Sequence, residues 1–270
     1  MGAVDRRECA GILPEAGAQT MTQKSCSEFP EAAIALEPLP VLYREETFAV
    51  VDKPAGLMAH DSALARGETD FAADRLRTQF ARPIHLVHRL DRATSGCLLL
   101  AFDRETASAL GKALMLGEVR KEYWAVCRGW PEPRFEIDHP LDGGPGKPEK
   151  KSAITAFERL ATCELAQPSQ GDAFATSRYA WLLAQPQTGR FRQIRRHLKH
   201  ASHHLIGDTS HGDGAHNRAF RMMGIHRMLL HARRLRFPHP HRDDWVEATA
   251  PPDAEFAKAL ALFGDAKTQP

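Results

Sequence analysis

The stretch HLVHRLDRATSGCLLLAF, residues 85–102, places one carboxylate between two guanidinium groups. Asp91 lies between Arg89 and Arg92 in a polar turn, and an apolar run begins at Cys97. Burial drives a carboxyl group toward its neutral form, whereas a nearby guanidinium keeps it ionised. An ionised and partly desolvated aspartate can act as a nucleophile or a base. On these residues alone, an Asx-type turn in which Asp91 accepts backbone N–H groups is the simpler interpretation.

The charged residues are divided unevenly along the chain. The 270 residues carry a net charge of +2, but residues 189–242 contain twelve Lys and Arg and only two acids. This segment therefore carries +10 and the remainder −8, and ten of the fourteen histidines also fall within it. One positive region on an otherwise acidic protein is typical of a surface that binds a polyanion. A solvated helix face on which bases happen to cluster is the alternative.

Composition and simple motifs exclude several classes of protein. The apolar runs are far shorter than the roughly 20 residues that a membrane helix needs, and no apolar stretch follows a basic start as in a signal peptide. The five cysteines are odd in number and contain no CxxC pair, which indicates reduced thiols. No G-x-G-x-x-G or Walker loop suggests a nucleotide cofactor. We therefore expect a cytoplasmic protein that does not associate with membranes.

The elements that must position the charged residues are strands and helices mixed without regular βαβ alternation. This pattern favours an α+β fold over a doubly wound sheet. Apolar spacing and turn residues predict strands within 41–53, 85–102, 121–130, 152–160, 177–186 and 226–237. Helices are predicted within 69–80, 103–119, 191–202 and 252–263. Thr69 and Asp103 are the expected N-caps of the first two helices, and residues 138–151 are predicted to be a mobile loop.

Four motifs, in order along the chain, resemble those of the RluA-type pseudouridine synthases. HRLDRATSG (88–96) resembles the signature loop H-R-L-D-x-x-T-S-G of that family. KPAG (53–56) is similar to its K-P-x-G turn, KEYWA (121–125) to its K-x-Y-x-A strand, and TGRFRQIR (188–195) to its T-G-R-x-H-Q-I-R segment. The resemblance covers about residues 40–245, and with it the interpretation of Asp91 changes from a turn residue to a reacting group.

The resemblance implies a fold, a reaction and three catalytic residues. The fold would be the α+β pseudouridine synthase fold, with a central mixed, largely antiparallel sheet flanked by helices and loops. The reaction breaks the N1–C1′ glycosidic bond of a uridine, turns the uracil and rejoins it through C5, which requires neither cofactor nor metal. Asp91 would carry the reaction at the ribose or the uracil. Tyr123 would stack on the uracil, and Arg195 would pair with the aspartate and keep it ionised.

The resemblance also implies a set of residues that bind RNA. The target uridine lies in a base stack and must be flipped out before it can react. Arg89 and Arg92 are expected to hold phosphates or to fill the gap that the flipped base leaves. Leu230 would contact the uracil, with core packing as the alternative. Further phosphate contacts are expected from Arg190, Arg192, Arg196 and Lys199. Arg192 stands where the family usually has histidine. Arginine keeps a hydrogen-bond donor at this position and adds a fixed positive charge.

Within the family, the C-terminal half is most similar to members that isomerise uridine 65 of certain tRNAs. The expected partner is therefore tRNA, with ribosomal RNA, or both RNAs, as the alternative. Residues 1–38 are predicted to be a disordered tail, which is too short and too polar for the S4-type RNA-binding module of some relatives. Met21 is an alternative start within it. Residues 39–264 would be the catalytic domain of a monomer.

Two other classes of function fit parts of the sequence. A metal-dependent phosphodiesterase is suggested by the metal-capable residues between His197 and His211 and by the run HPHPH. Its histidines lack the H-E-x-x-H spacing, with an acid between them, that places two ligands on one helix face. A non-catalytic RNA-binding protein is supported by the +10 segment alone. The retained Asp91, Tyr123 and Arg195 favour an enzyme.

Overall fold

A computed structural model describes residues 37–61, 67, 69–166 and 175–264. All of them lie in the compact unit Leu36–Pro270. Of the predicted tail, only Glu37 and Pro38 fall within the described residues. The expectation that the tail is disordered therefore concerns residues outside the described part of the chain.

The described residues form twelve strands and five helices. The strands are β1 (Val41–Arg44), β2 (Phe48–Lys53), β3 (His85–Leu86), β4 (Ser95–Ala101), β5 (Arg120–Arg128), β6 (Arg134–Asp138), β7 (Leu141–Asp142), β8 (Lys150–Lys151), β9 (Ile154–Leu165), β10 (Ser177–Pro186), β11 (Leu230–Pro238) and β12 (Trp245–Thr249). The helices are α1 (Ala72–Phe80), α2 (Arg104–Met115), α3 (Gln193–His200), α4 (Gly214–Met222) and α5 (Ala254–Ala261). None of these helices has both the length and the hydrophobicity to cross a membrane.

Ten of the described strands form one sheet, in which the order β1-β2-β4-β11-β5-β10-β9-β6 is extended by β12 beside β11 and by β3 beside β4. The β4–β11 pair is parallel and the other pairs of this sheet are antiparallel. The structure therefore confirms the expected α+β fold with a mixed, largely antiparallel sheet.

The parallel β4–β11 pair depends on a glycine. Gly96 has a φ of +108°, and a Cβ atom there would lie 2.2 Å from the carbonyl oxygen of Ala232. Only glycine allows this approach, because any side chain would collide with the backbone of β11. The contact joins the end of the Asp91 loop to the strand that begins at Leu230.

The sheet buries both of its faces because apolar residues occupy successive positions of its central strands. Leu98 and Leu100 of β4 point to one face, and Cys97 and Leu99 point to the other. We call the first group the α1 cluster, which includes Ala49, Val51, Leu76, Leu98, Leu100 and Ala232, with Tyr123 packed against it. We call the second the α2 cluster, which includes Phe48, Val50, Leu99, Leu110, Leu235 and Phe237.

The predicted helix boundaries were right at one N-terminus and wrong at another. The Asp103 side chain accepts a hydrogen bond from the Thr106 N–H at 2.8 Å, which confirms it as the cap of α2. Thr69 does not cap α1: the helix begins after Phe71, whose side chain makes no capping hydrogen bond. The N–H groups of Ala72 and Ala73 instead donate to the carbonyls of Met58 and Ala59 at 2.8 and 3.0 Å, so a tertiary contact replaces the local cap.

The segment 138–151, predicted to be a loop, contains two short strands that the sequence did not predict. This segment contains the β7–β8 hairpin, in which Leu141 pairs with Lys151 and Asp142 with Lys150. The Asp142 carboxylate accepts a hydrogen bond from the Gly144 N–H at 2.9 Å, which closes the turn after β7. The sequence also did not predict α4, β6 or β12. The last two are short strands of five residues each.

Candidate active site

The Asp91 loop lies between β3 and β4. The main-chain carbonyl of Asp91 and its side-chain carboxylate bind different partners. The Thr94 N–H donates to the main-chain carbonyl of Asp91 at 3.0 Å, which closes the turn. The Asp91 carboxylate, 27% exposed, instead accepts a hydrogen bond from Nη1 of Arg195 at 2.7 Å. The simpler Asx-turn interpretation does not describe this carboxylate, because it is paired with a guanidinium across 104 residues of sequence.

Arg195 is the centre of a buried ion-pair network. It lies on α3 with only 6% of its side chain exposed. Its Nε and Nη2 atoms donate to the two carboxylate oxygens of Asp208 at 2.6 and 2.8 Å, and its Nη1 atom remains for Asp91. A guanidinium held by two bonds in one plane has little freedom to turn. Asp208 therefore fixes the position from which Arg195 reaches Asp91.

Asp208 is itself held by the backbone. Its side chain is 0% exposed, and Oδ1 also accepts the N–H groups of Ser210 and His211 at 2.8 and 2.9 Å. Burial opposes the charge of both partners, but their mutual hydrogen bonds outweigh it. As a result the pKa of Asp208 is lowered and the pKa of Arg195 is raised. In the sequence, Asp208 was noted as a metal-capable residue and as the end of HLIGD (204–208), a stretch that follows TGRFRQIR (188–195) as the family resemblance implies, but it was given no role in the site.

Tyr123 lies on β5 between two small residues. Its neighbours across the sheet are Ala184 on β10 and Ala232 on β11, which leaves room for the ring on the face of the α1 cluster. Burial first, and then the negative charge of Asp91, raise the pKa of the Tyr123 hydroxyl well above its usual value. The hydroxyl therefore stays protonated at neutral pH, so that Tyr123 offers an aromatic face and a neutral O–H group.

A buried lysine is hydrogen-bonded to the backbone of the Asp91 loop. Lys53 is fully buried at the end of β2, and its Nζ donates to the carbonyl oxygens of Pro54, Leu57 and Arg92 at 2.7, 2.8 and 3.3 Å. Burial, and then the charge of Arg227, lower its pKa to about 7. Since Arg92 directly follows Asp91, Lys53 ties the turn after β2 to the backbone beside the candidate catalytic carboxylate.

Arg92 is also held by that turn. Its Nε donates to the carbonyl of Gly56 at 3.0 Å, and its carbonyl accepts the Gly56 N–H at 2.8 Å. The residue is exposed at the surface. Leu230 begins β11 opposite Ala125 and is buried. It belongs to a buried cluster with Ala125 and Ala184, and Tyr123 packs against the same cluster.

A basic cleft opens beside the Asp91 loop. It has a volume of about 530 Å³ and is bounded by the β7–β8 hairpin, by residues 189–191 and by Arg89. Its charged lining residues are Arg89, Lys147, Glu149, Lys151 and Arg190. Four bases against one acid make this cleft complementary to a polyanion. Arg190 is oriented by a hydrogen bond from its Nε to the carbonyl of Ser152 at 2.9 Å.

The other three basic candidates, at the start of α3 and on it, differ in their surroundings. Arg196 forms an ion pair with Asp142 at 2.6 Å, so it ties the β7–β8 hairpin to α3. Arg192 precedes α3 with a φ of +52°, and its guanidinium lies 4.8 Å from the centre of the Phe191 ring. Lys199 is exposed on α3. The structure thus brings Asp91 and Arg195 into contact, as the resemblance implied. Arg196, which was expected to bind phosphate, is instead paired with Asp142.

The histidine-rich segment assembles no metal ligands in the described part of the chain. No group of three or more His, Cys, Asp or Glu side chains there has the geometry to hold a metal ion. His197 is buried, with its ring nitrogens bonded to Thr155 and to the carbonyl of His139 at 3.0 and 3.1 Å. Asp208 is bound to Arg195. Hydrogen bonds and an ion pair therefore account for His197 and Asp208, two of the residues that suggested a phosphodiesterase.

Comparison with known proteins identifies relatives over most of the chain. Residues 47–200 match the family model described as RNA pseudouridylate synthase. The tRNA pseudouridine synthase C of Vibrio cholerae is 39% identical over 236 residues, which cover 84% of this chain and 96% of that protein. The protein of the same name from Vibrio vulnificus is 40% identical over 235 residues, with coverages of 83% and 95%.

Solved structures of RNA pseudouridylate synthase domain proteins are also similar to this chain. Human RNA pseudouridylate synthase domain containing 1 superposes with a TM-score of 0.62 at 26% identity, covering 80% of this chain and 84% of that chain. Human RNA pseudouridylate synthase domain containing 4 has the same TM-score, 0.62, at 21% identity, and is evidence of the common fold alone. Its match covers 83% of this chain and 92% of that chain.

Proposed function

The chain belongs to the RNA pseudouridylate synthase family, and from this premise we propose that it isomerises a uridine of tRNA, uridine 65, with Asp91 as the reacting residue. The family relationship makes the protein an RluA-type RNA pseudouridine synthase, which is an isomerase. The tRNA substrate is proposed because the curated relatives at 39% and 40% identity are named tRNA pseudouridine synthase C. A ribosomal RNA substrate is the alternative within the family.

The observation that carries the assignment of Asp91 is its ion pair with the buried Arg195 at 2.7 Å. This carboxylate is 27% exposed and is held by a buried guanidinium, so it lies where a substrate can reach it. In the proposed reaction Asp91 acts on the ribose or the uracil while the N1–C1′ bond breaks. A C5–C1′ bond then forms, the C5 proton is lost and N1 gains a proton, so that no atoms are gained or lost overall.

Tyr123 and Leu230 are proposed to hold the flipped uracil. The ring of Tyr123 would stack on the base, since aromatic faces bind flipped bases in enzymes that extrude their target. The raised pKa of its hydroxyl supports a role for the neutral phenol rather than for a phenolate base. Leu230 would provide an apolar contact from the floor of the site.

The basic cleft is proposed to bind the RNA backbone next to the target. Arg89 and Arg190 line it, and Arg92 is exposed at the neighbouring turn. These residues would bind phosphates on either side of the flipped nucleotide. Arg192 and Lys199 would add contacts along α3. Such contacts release counterions from the RNA, so binding should weaken steeply as the salt concentration rises.

Several further properties are proposed on the sequence interpretation. The catalytic domain would span residues 39–264, preceded by the tail 1–38, and the protein would act as a monomer in the cytoplasm without a cofactor. Gel filtration with light scattering would test the monomer. A variant that lacks residues 1–38 would test the domain boundary, since it should keep the activity of the full chain.

The test of the function uses unmodified tRNA and ribosomal RNA transcripts and maps pseudouridine by carbodiimide treatment and primer extension. We expect a stop at uridine 65 of tRNA with the wild-type protein and none with Asp91→Ala. RNA binding by Asp91→Ala should stay within a few-fold of wild type. Pseudouridine in ribosomal RNA alone would show that the substrate is ribosomal RNA and not tRNA, while the proposed reaction would stand. Near-wild-type turnover by Asp91→Ala would contradict the assignment of this residue.

A further inference from the structure

Lys121 lies on β5 two residues before Tyr123 and on the same face of the sheet. Side chains alternate along a strand, and Tyr123 packs against the buried cluster that includes Leu198 of α3, whereas Trp124 packs against a different cluster. Lys121 therefore projects on the Tyr123 side. A contact with the segment before α3 agrees with this placement, because Nζ of Lys121 lies 3.9 Å from the position that a Cβ atom of Gly189 would occupy.

The ammonium group of Lys121 lies between the Asp91 loop and the basic cleft. Gly189, beside it, is one of the residues that line the cleft. On the other side, the positive charge of Lys121 acts on His88, which begins the motif that contains Asp91. Burial first, and then this charge, lower the pKa of His88 to about 4, so His88 is neutral at pH 7. The positive charge of Lys121 thus stands where the Asp91 loop, the strand of Tyr123 and the cleft meet.

Lys121 has no partner of its own among the described residues, where it forms neither an ion pair with a carboxylate nor a hydrogen bond from Nζ. Burial lowers the pKa of its ammonium group. Lys53 differs, because its buried Nζ donates to three carbonyl oxygens. A cation that is partly removed from water without an anion loses solvation and gains no attraction in return, and such groups are typical of functional sites. Lys121 therefore has the surroundings of a residue that binds an anionic ligand.

We propose that Lys121 binds a backbone phosphate next to the reacting uridine and thereby joins the Tyr123 site to the basic cleft. Lys121 and Tyr123 are two residues apart on one face of β5, which separates their Cα atoms by about 7 Å. The ring and the ammonium group are thus close enough to contact the base and a phosphate of one nucleotide. This proposal rests on the proposed function, because it takes the RNA of the reaction as its ligand.

The chemistry of the surroundings supports a phosphate as the ligand. The ammonium group of lysine is a compact charge with three donors, which suits a phosphate oxygen. Arg89 and Arg190 continue the positive surface from Lys121 along the cleft, and such a surface is complementary to a polyanion. A flipped uridine must bring its own backbone toward the site. Because Lys121 is partly buried, water and salt screen its attraction for that backbone less than they would at the surface.

The first measurement is the salt dependence of tRNA binding by the full-length variant Lys121→Met. Methionine keeps an unbranched apolar side chain at this position and removes the charge. One phosphate contact contributes about 0.9 to the slope of log K against log salt for a duplex and about 0.7 for a single strand. Wild type should therefore weaken roughly three-fold more than Lys121→Met between about 50 and 200 mM salt. Lys121→Arg keeps the charge and should keep the wild-type slope.

Lys112→Met is the matched control. Lys112 is exposed on α2, whose Leu110 packs in the α2 cluster on the face of the sheet opposite Tyr123. The control therefore removes the same charge on the other side of the sheet, and it should keep the wild-type salt slope. An equal loss of slope in Lys121→Met and Lys112→Met would show that net charge alone is responsible, which would overturn the proposal.

A neutral linkage in the RNA tests the contact itself. A methylphosphonate is placed on either side of the uridine that primer extension identifies, and it removes the charge of one phosphate. At one of the two positions it should weaken binding by wild type and by Lys121→Arg, but not by Lys121→Met, which has already lost the contact.

Equal losses in wild type and Lys121→Met at both positions would overturn the proposal, and so would a wild-type salt slope in Lys121→Met. These binding results do not depend on turnover. Failure of wild type to form pseudouridine in tRNA would instead refute the proposed substrate.

Discussion

Asp208→Asn is the substitution that tests the active-site network most directly. Asp208 accepts both Nε and Nη2 of Arg195, and Arg195 in turn holds Asp91. An asparagine can keep its oxygen at the Oδ1 position, where three N–H groups converge. Its NH2 group would then face Nε of Arg195 at the place of Oδ2, so that two donors meet. Arg195 must shift, and its bond to Asp91 shifts with it.

The expected effect is large on both the reaction and the stability. A displacement of a catalytic group by about 1 Å can lower a rate roughly 100-fold, so we expect a loss of that order in kcat. Removing one charge from a buried ion pair typically costs about 3–5 kcal/mol of folding free energy. Single-turnover pseudouridine formation, measured well below the melting temperature and at saturating tRNA, separates the two effects. The Kd for tRNA should change by less than a few-fold.

Asp213→Asn is the matched control. Asp213 accepts from the Ala215 N–H as the cap of α4 and pairs with Arg128 at 2.7 Å. Its substitution should lower the melting temperature and leave kcat unchanged. Wild-type kcat in Asp208→Asn would refute the idea that Asp208 positions Arg195. An equal loss of kcat in Asp213→Asn would show that destabilisation alone explains the effect.

Three further predictions follow from the supports of the site. Gly96→Ala should abolish soluble folded protein or lower the melting temperature sharply, since the new methyl would lie 2.2 Å from a backbone oxygen of β11; a normal melting curve would contradict the close β4–β11 contact. If Arg196 serves to hold the hairpin, Asp142→Asn should weaken RNA binding as Arg196→Gln does, by up to about five-fold for a partly exposed pair; unchanged binding by Asp142→Asn would favour a direct phosphate contact of Arg196. Lys53 has a folded pKa of about 7, below its unfolded value. The unfolded state therefore binds more protons above pH 7, and the unfolding free energy of wild type relative to Lys53→Met should rise by up to about 1.4 kcal/mol per pH unit between pH 7 and roughly 10; denaturant melts that give a flat difference would exclude a depressed pKa.

The sequence determined the features that depend on neighbours along the chain. The motif around Asp91 identified the family and the loop, and the strand and helix patterns predicted the α+β fold. Asp103 was correctly predicted as a cap, because a capping aspartate bonds to an N–H only three residues away. Thr69 failed as a cap, since α1 is anchored by backbone bonds to the segment after β2. Local spacing therefore succeeded only where the partner was also local.

The tertiary structure alone decided which charges meet. The motif implied that Arg195 pairs with Asp91, but nothing in its spacing showed that Asp208 would take the other two donors of the same guanidinium. The spacing equally did not show that Arg196 would bind Asp142, or that Arg236 would stack on Trp245 instead of binding the acid opposite it. A charged side chain pairs with whatever the packing of helices and strands brings within about 3 Å. That choice is made by long-range burial of the apolar faces, and so the roles of identical arginines diverge only in the folded chain.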